Sequence, residues 1–361
     1  LSLKDIFSFY FYLMNELYLR LRIKEIIRET PDAFTYILEG ESFTYLPGQF
    51  LTFLIILHGT EYRRSYSFSS TPGIDPFPAV TIREKENGEI SRHILRNWKV
   101  GDPVTTVQPS GRFTLKDNKN KRDVFLFGAG SGITPLFSLL KHILHNEPDT
   151  HVKLIYSNTS HERTIFYHQL QKLEEQFSNR LHLMYFFSND NENSKSAYRR
   201  LSNILLEPLV KAEMRFNNSD AQFFVCGPPD YMRMIMLTLT FMGFAEDQIH
   251  KENFVVNTSP QLARMGKPDD TTIKEVLLKT NKGTYHLSVP GNMTILNAAL
   301  AQGHALPYSC RGGVCGSCTA RCMEGKTWMA WNEVLTDKEL AQGFILTCTS
   351  YPVTQSVVIE I

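Results

Sequence analysis

The chain has 361 residues, a formal net charge of +1 and 42% hydrophobic residues. That length suits two or three domains with ordinary cores. A charge balance so close to zero gives no electrostatic footprint for nucleic acid, and six cysteines in so long a chain exclude a small disulfide-stapled scaffold.

Residues 6–19 are mostly apolar and aromatic, interrupted by Ser8, Asn15 and Glu16. The run falls short of the roughly 20 apolar residues a membrane span needs. It also lacks the basic start and small-residue cleavage site of a signal peptide. Ile6, Tyr10, Leu13, Met14 and Leu17 share one helical face, which predicts a helical extension over 1–18 packed on the protein or on a partner. A membrane-surface anchor is the sharper alternative, but no basic face accompanies the apolar one.

Residues 19–118 alternate short strands with turns. Strands are expected at 21–24, 34–38, 50–57 and 79–82, punctuated by Pro47-Gly48, Pro72-Gly73 and Asn87-Gly88. The pattern predicts an antiparallel β-barrel. After the third strand stands Arg64-Ser65-Tyr66-Ser67. A flavin needs a cation for its phosphate, an aromatic face for its ring and a small hydrogen-bond donor near N5. Arg64, Tyr66 and Ser67 supply these in turn. Further on, Ile82 and Arg83 end a strand, the chain turns through Gly88 and Ile90, and a helix opens at Ser91. Free N–H groups at a helix start suit a pyrophosphate. Alone, the four-residue pattern is equally that of a surface arginine and a barrel tyrosine.

Residues 119–256 change to strand–helix alternation, with strands at 124–127, 152–156, 181–187 and 222–226. Helices are expected at 135–146, 166–175, 197–209 and 230–242. A parallel sheet with helices on both faces follows. Gly128, Gly130 and Gly132 fill the first strand-to-helix turn, which runs on to Thr134-Pro135. Such a turn lets the backbone approach a dinucleotide pyrophosphate and aims a helix start at it. Cys226-Gly227-Pro228 ends a later strand, where open α/β sheets bind ligands, so a thiol there can lie against a nicotinamide. A buried cysteine before a tight turn is the plainer reading. Met232, Met234 and Met236 read as core filling.

Residues 257–272 are polar and read as a linker. In 273–361, strands at 276–279 and 285–289 flank the hairpin signal Asn281-Lys282-Gly283. A short helix over 294–302 and a last strand over 354–361 complete the unit. Between them lie Cys310, Cys315, Cys318 and Cys348, spaced C-x4-C-x2-C with 29 residues before the fourth. Plant-type ferredoxins hold a [2Fe–2S] cluster with this spacing. The intervening glycines permit the positive φ that aims backbone N–H groups at a negative cluster. Zinc sites usually carry C-x2-C twice, and one such pair is present here. Cys226 and Cys322 remain as ordinary thiols, so a reducing, cytoplasmic setting is expected.

Taken together, Arg64 to Ser67, Gly128 to Pro135, Cys226 to Pro229, His250-Lys251-Glu252-Asn253-Phe254 and the four cysteines resemble the ferredoxin–NADP reductase superfamily in its oxygenase-reductase branch. The domain order is similar to that of the reductase subunits of phenylacetyl-CoA epoxidase. The resemblance covers nearly everything from residue 20 onward. It implies a multidomain fold: a β-barrel flavin domain, an α/β nucleotide domain and a C-terminal β-grasp ferredoxin domain. It also implies that the flavin is FAD, that Tyr66 and Ser67 meet its ring, that Thr134 and Cys226 lie near the nicotinamide, and that Glu252 and Phe254 approach the flavin. The extension before residue 20 departs from the family pattern.

The expected function is an NAD(P)H oxidoreductase that passes electrons through FAD and the cluster to a separate oxygenase, hydroxylase or desaturase. After the second parallel strand, Ser157 and Arg163 are placed to receive a 2′-phosphate, while the first acid is Glu162, which favours NADPH over NADH. A solvated Arg163 is the alternative. Three other readings stay open: an FMN-containing dioxygenase reductase, a redox-sensing iron–sulfur protein without turnover, and a membrane-associated respiratory role for which only residues 1–18 speak.

Overall fold

The computed structural model describes residues 18–115, 121–189, 200–254, 266–280 and 283–361. The expected N-terminal helix, the Asn281-Lys282 turn and most of the expected linker lie outside these residues. Arg20–Asn253 forms one compact unit, and Phe254–Ile361 belongs to a second.

In the first unit, β1 (Tyr18–Thr30), β2 (Ala33–Gly40), β3 (Phe50–Leu57), β4 (Thr60–Ser67), β5 (Ala79–Arg83) and β6 (Pro103–Ser110) form one sheet. Their order is β4-β3-β6-β1-β2-β5. A bridge between Phe68 and Val80 joins its two edges, so the sheet curls into a barrel. Helix α1 (Glu89–Asn97) follows β5 and buries Ile90 and Ile94. Two strands carry no clear sequence signal. Arg63 and Arg64 blur the alternation of β4, and β6 contains Pro103 and Pro109. The prolines are tolerated because one begins the strand and the other lies in a bulge, where the pairing jumps from Thr52↔Val107 to Phe50↔Ser110.

The second sheet of this unit is parallel. It contains β7 (Asp123–Ala129), β8 (His151–Asn158), β9 (Leu181–Phe187), β10 (Ala221–Cys226) and β11 (Ile249–Glu252), in the order β11-β10-β7-β8-β9. Helices α2 (Ile133–Asn146), α3 (Tyr167–Gln176), α4 (Asn203–Glu213) and α5 (Pro229–Phe241) connect the strands. Because the strands are buried on both faces, they read as near-continuous apolar runs. Val124 and Leu126 pack under α2 and α3, while Phe125 and Phe127 pack under α4 and α5. Helix α4 starts at Asn203 and runs past Pro208, whereas the sequence pattern places it at 197–209. The carbonyl that Pro208 leaves without a helical N–H belongs to Ile204, which is exposed to water.

Helix α2 also fastens the two sheets of this unit together. Ser138 Oγ donates to the Ser70 carbonyl at 2.6 Å, Thr71 Oγ1 donates to the Ser138 carbonyl at 2.9 Å, and Lys141 pairs with Asp75.

In the second unit, β12 (Ile273–Thr280), β13 (Gly283–Pro290), β14 (Thr319–Glu324), β16 (Phe344–Leu346) and β18 (Ser356–Glu360) form a sheet in the order β13-β12-β18-β14-β16. A small ribbon pairs β15 (Thr327–Met329) with β17 (Ser350–Pro352). Strands β12 and β18 are parallel and β12 and β13 antiparallel, a β-grasp arrangement. Helix α6 (Ile295–Ala301) buries Ile295, Leu296, Ala298 and Ala299 in the core, and its N-cap Thr294 accepts from the Asn297 N–H at 3.3 Å. Helix α7 (Asp337–Ala341) opens with a capping box between Thr336 and Glu339.

Candidate functional site

The parallel sheet places its chemistry by topology. From β7 the chain moves outward to β8 and β9, then returns to the other side of β7 with β10 and β11. The order reverses between β7 and β10, and the crevice at the carboxyl ends of these strands is where such sheets bind ligands. One row of the ladder crosses all five strands there: Glu252, Cys226, Gly128, Tyr156 and Tyr185.

The glycine turn fits closely around this row. A Cβ on Gly132 would stand 2.1 Å from the Cys226 carbonyl oxygen, and Gly130 adopts φ +55°. Only glycine allows both the approach and the conformation. Two tyrosines hold the turn from behind: Tyr156 Oη donates to the Gly130 carbonyl at 3.0 Å and Tyr231 Oη to the Gly128 carbonyl at 3.2 Å. Both carbonyls are thereby engaged, and a glycine turn opening a helix suits a pyrophosphate. Thr134 is buried and donates to the Ser131 carbonyl at 3.0 Å. Gly227 packs against Ala129, and Pro228 precedes α5 as its N-cap.

Strand β4 carries the expected flavin residues. Arg64 is exposed, Ser65 and Tyr66 are half-buried and Ser67 is buried. Ser65 Oγ lies 3.0 Å from Thr52 Oγ1, and the Tyr66 ring leans on Phe53 at 5.9 Å. Ser67 Oγ donates to Glu252 Oε2 at 3.0 Å, which joins the end of β4 to the end of β11. Burial pushes the Glu252 carboxyl up to about 8, while the Ser67 hydrogen bond pulls it back. Burial likewise raises the Cys226 thiol well above its usual range. Cys226 is fully enclosed and packed on Gly132, so its thiol does not line an open cleft.

Near the start of α1 the expected residues divide by role. Ile82 is wholly buried in the barrel, and Ile90 packs beneath α1. Ser91 Oγ accepts from the Lys85 N–H at 3.0 Å and donates to the Gly88 carbonyl at 3.3 Å, so this hydroxyl shapes the turn. No side chain caps the N-terminus of α1 at Gly88, which leaves first-turn N–H groups suited to an anion. Arg83 turns toward the nucleotide side. Its Nε donates to Asp32 Oδ2 at 3.0 Å, and its Nη1 borders Gly130.

At the end of β8, the Ser157 Oγ and both polar side-chain atoms of Asn158 are buried without a hydrogen-bond partner, as is the Tyr185 Oη on the neighbouring β9. Orphaned polar atoms at a sheet's carboxyl edge fit a polar ligand. Arg163 follows on a short turn, with Nη1 3.6 Å from Asp32 Oδ2. Sequence reasoning misses Asp32, Tyr156 and Tyr231. Asp32 shows there only as a Pro-Asp turn, and a tyrosine at a strand end or helix start carries no signal of what its hydroxyl meets.

In the second unit, Cys310 and Cys315 are half-buried and Cys318 and Cys348 buried. Cys315 meets Cys310, Cys310 meets Cys348, and Cys348 meets Cys318. Hydrogen bonds from the Cys315 and Cys348 thiols, then from the Gly312 and Val314 amides, hold Cys310 far below the usual thiol range. The Gly312 N–H points at Cys310 Sγ at 3.3 Å. Arg311, Gly313 and Gly316 all have positive φ, and a Cβ on Gly313 would stand 2.7 Å from the Trp331 carbonyl oxygen. Among the described residues no three ligands close on a single metal position. A two-iron cluster needs none, since each iron takes two thiolates and the bridging sulfides. Four converging thiols under backbone N–H groups fit that group. Phe254, expected near the flavin, is 45% exposed and is described with this unit. Cys322 is half-buried and its thiol meets the Glu324 carbonyl at 3.5 Å.

A curled antiparallel sheet with a flavin motif, a parallel sheet with a glycine turn at its switch point, and a four-thiol loop on a β-grasp sheet define a nucleotide-dependent flavin and iron–sulfur reductase. Family models agree over 19–115 (oxidoreductase FAD-binding domain), 126–236 (oxidoreductase NAD-binding domain) and 278–353 (2Fe-2S iron-sulfur cluster binding domain). The chain is 30% identical to one of the subunits of 1,2-phenylacetyl-CoA epoxidase from Escherichia coli K12, over 94% of this chain and 96% of that one. It is also 30% identical to the ferredoxin reductase component of 3-ketosteroid-9-alpha-monooxygenase from Rhodococcus rhodochrous, with the same coverage. The chain belongs to the oxygenase-reductase branch of the ferredoxin–NADP reductase superfamily. Its fold matches the solved structure of phthalate dioxygenase reductase, with a TM-score of 0.58 at 21% identity over 97% of this chain and 99% of that one. It is an oxidoreductase of FAD, NAD(P)H and a [2Fe–2S] cluster, the reductase component of an oxygenase system.

Proposed function

We propose that the ladder row at the sheet's carboxyl edge, together with the Ser67–Glu252 hydrogen bond, is where nicotinamide and flavin meet. The observation that carries this reading is that bond: it joins the flavin strand β4 to the carboxyl end of β11, the strand beside β10 in the nucleotide sheet, 3.0 Å long. FAD, when bound, accepts a hydride as an electron pair and yields single electrons to the cluster. The chain's own groups do the rest. Tyr66 offers an aromatic face, and Arg64 and the uncapped start of α1 offer positive charge to phosphates. Gly88, Ile90 and Ser91 shape that start, while Ile82 and Arg83 anchor the strand before it. The amides around Gly128, Gly130 and Gly132 take the dinucleotide pyrophosphate. Thr134, Gly227 and Pro228 wall the nicotinamide end, and Cys226 stands behind them at the end of β10 with its thiol enclosed. Glu252 holds a proton at neutral pH, so Ser67 faces the flavin beside an uncharged carboxyl.

Domain limits of 19–118, 119–256 and 273–361 follow from this division of labour, with 1–18 as an extension and 257–272 as a linker. Ser157 and Arg163 receive a ribose 2′-phosphate, which makes NADPH the preferred donor. Cys310, Cys315, Cys318 and Cys348 bind the cluster. The acceptor is a separate oxygenase, hydroxylase or desaturase; the two relatives are a subunit of an epoxidase and the ferredoxin reductase component of a ketosteroid monooxygenase. Among the described residues no helix is long and apolar enough to cross a membrane, and free thiols suit the cytoplasm.

The test is steady-state reduction of ferricyanide and of cytochrome c by purified holoprotein with each nucleotide. NADPH is expected to give the higher kcat/KM, with FAD released on denaturation. A large preference for NADH would remove the nucleotide assignment, and FMN in place of FAD would favour the dioxygenase-reductase reading.

A further inference from the structure

Asp32 stands in the turn between β1 and β2, in the flavin sheet and outside the nucleotide domain. Its Oδ1 accepts from Thr30 Oγ1 at 2.8 Å. Its Oδ2 accepts from Arg83 Nε at 3.0 Å and faces Arg163 Nη1 at 3.6 Å. Two guanidinium groups, one from each sheet of this unit, therefore meet a single carboxylate. Arg83 borders the glycine turn, since its Nη1 lies 3.1 Å from where a Gly130 Cβ would be. Arg163 ends the short turn after β8, the strand that carries the unpartnered Ser157 and Asn158 side chains.

We propose that Asp32 is a specificity-determining residue: its carboxylate cancels part of the positive charge that Arg83 and Arg163 present to the nucleotide, and so tempers the preference for a 2′-phosphorylated donor. This rests on the reading that Arg163 receives the 2′-phosphate. Removing the charge has two opposed effects. It frees positive charge and ends a repulsion between carboxylate and phosphate, but it also takes an anchor from Arg163. The anchor is the weaker effect. Arg163's side chain is 52% exposed and the pair is 3.6 Å long, a geometry that contributes little. Charge repulsion needs no such geometry and acts over several ångströms. The side chain is ionised throughout the working range, because Thr30, Arg83 and Arg163 together outweigh its burial and lower its pKa. Asparagine at this position still accepts from Arg83 through its amide oxygen, and its NH2 donates to Thr30 Oγ1, whose hydroxyl turns to accept, so the turn survives.

The experiment compares Asp32→Asn, Asp32→Glu and Arg163→Gln with the parent holoprotein. Flavin content is checked by absorbance, and kcat/KM is measured for both nucleotides with ferricyanide. Calorimetric binding of adenosine 2′,5′-bisphosphate and of 5′-AMP gives a second readout that does not depend on flavin. Asp32→Asn is expected to raise the NADPH-to-NADH ratio about fivefold to tenfold and to tighten the bisphosphate to the same extent, leaving 5′-AMP unchanged. Asp32→Glu keeps the charge and is expected to keep the ratio within about twofold. Arg163→Gln is expected to lower it. If Arg163→Gln lowers the ratio while Asp32→Asn leaves it unchanged or lowers it, the role of Asp32 is overturned and the 2′-phosphate reading stands. If Arg163→Gln leaves the ratio unchanged, both are overturned.

Discussion

Glu252 shows how one carboxyl records its surroundings. Burial raises its pKa to about 8, and the Ser67 hydroxyl opposes that rise by donating to the charged form. The sign of the consequence follows from proton uptake. Between the ordinary glutamate value and about 8 the folded protein holds a proton that the unfolded chain has lost. The contribution of this group to stability is therefore complete at acid pH and fades as pH rises toward 8. Glu252 is partly open to solvent, so screening reduces the effect to on the order of 1–2 kcal/mol. Glu252→Gln is expected to flatten the decline in stability between about pH 5 and 8. Denaturant unfolding at several pH values checks it. A parallel decline in parent and variant would show that another group is responsible. His151 runs the other way, since burial and then Arg215 lower its pKa, which adds stability as pH rises. The difference between parent and variant isolates Glu252 from it. Ser67→Ala removes the opposing hydrogen bond, and it is expected to move the Glu252 midpoint upward, with a loss of about 1 kcal/mol of stability. A midpoint that stays put would mean that the bond does not set the charge of Glu252.

At the scale of elements, two glycines decide whether neighbouring segments can approach. Gly132→Ala would drive a methyl group into the Cys226 carbonyl, 2.1 Å away, and force the start of α2 from the end of β10. Neither side is a flexible side-chain tip, so the turn must shift. The expected outcome is at least a tenfold loss in kcat/KM for the nicotinamide nucleotide with flavin content near the parent value, about 1.4 kcal/mol or more of binding. Flavin loss without a change in KM would place the turn elsewhere. Gly313→Ala combines a 2.7 Å approach to the Trp331 carbonyl with φ +71°, and is expected to lower iron content while ferricyanide reduction persists. These turns are legible in the sequence because each packs its constraint into a few adjacent residues. The same holds for the four-cysteine spacing and for the apolar runs of β7, β8 and β10. Strands β4 and β6 are not legible, since each is defined by its partner. The polar residues of β4 pair along all of β3, and a bulge opposite Leu51 accommodates Pro109 of β6, while Pro103 stands at its first position. Helix α4 departs from its expected span because the cost of Pro208 depends on whether Ile204 faces water. The Asp32 cluster and the two tyrosine hydroxyls behind the glycine turn are beyond reach for a related reason. Thr30 aside, their partners lie between 26 and 131 residues away, from Tyr156 to Gly130 and from Asp32 to Arg163.

For the whole molecule, the question is how electrons reach the cluster. A free ferredoxin commonly finds its reductase through strong opposite charge. The cluster-bearing stretch 273–361 has seven Lys and Arg against six Asp and Glu, so it carries almost no net charge. Covalent attachment supplies encounter instead, by setting an effective concentration independent of how much protein is present. Two consequences separate this from association between molecules. The rate of cluster reduction after mixing with NADPH is expected to be independent of protein concentration and to change less than about twofold across a wide range of salt. Stopped-flow absorbance of the cluster checks both. A rate that climbs in proportion to protein concentration would mean that electrons pass between chains. Cys348→Ser gives the complementary cut. Cys348 contacts both Cys310 and Cys318, so its loss removes the link between the two halves of the thiol set. Iron content and the one-electron signal of the reduced protein are expected to fall away, and cytochrome c reduction with them. Ferricyanide reduction, which draws on the flavin, is expected to stay within about twofold of the parent, because no residue of the Ser67–Glu252 row is touched. Cytochrome c reduction that survived the loss of iron would show electrons leaving from the flavin directly, and the cluster would then be no part of the route.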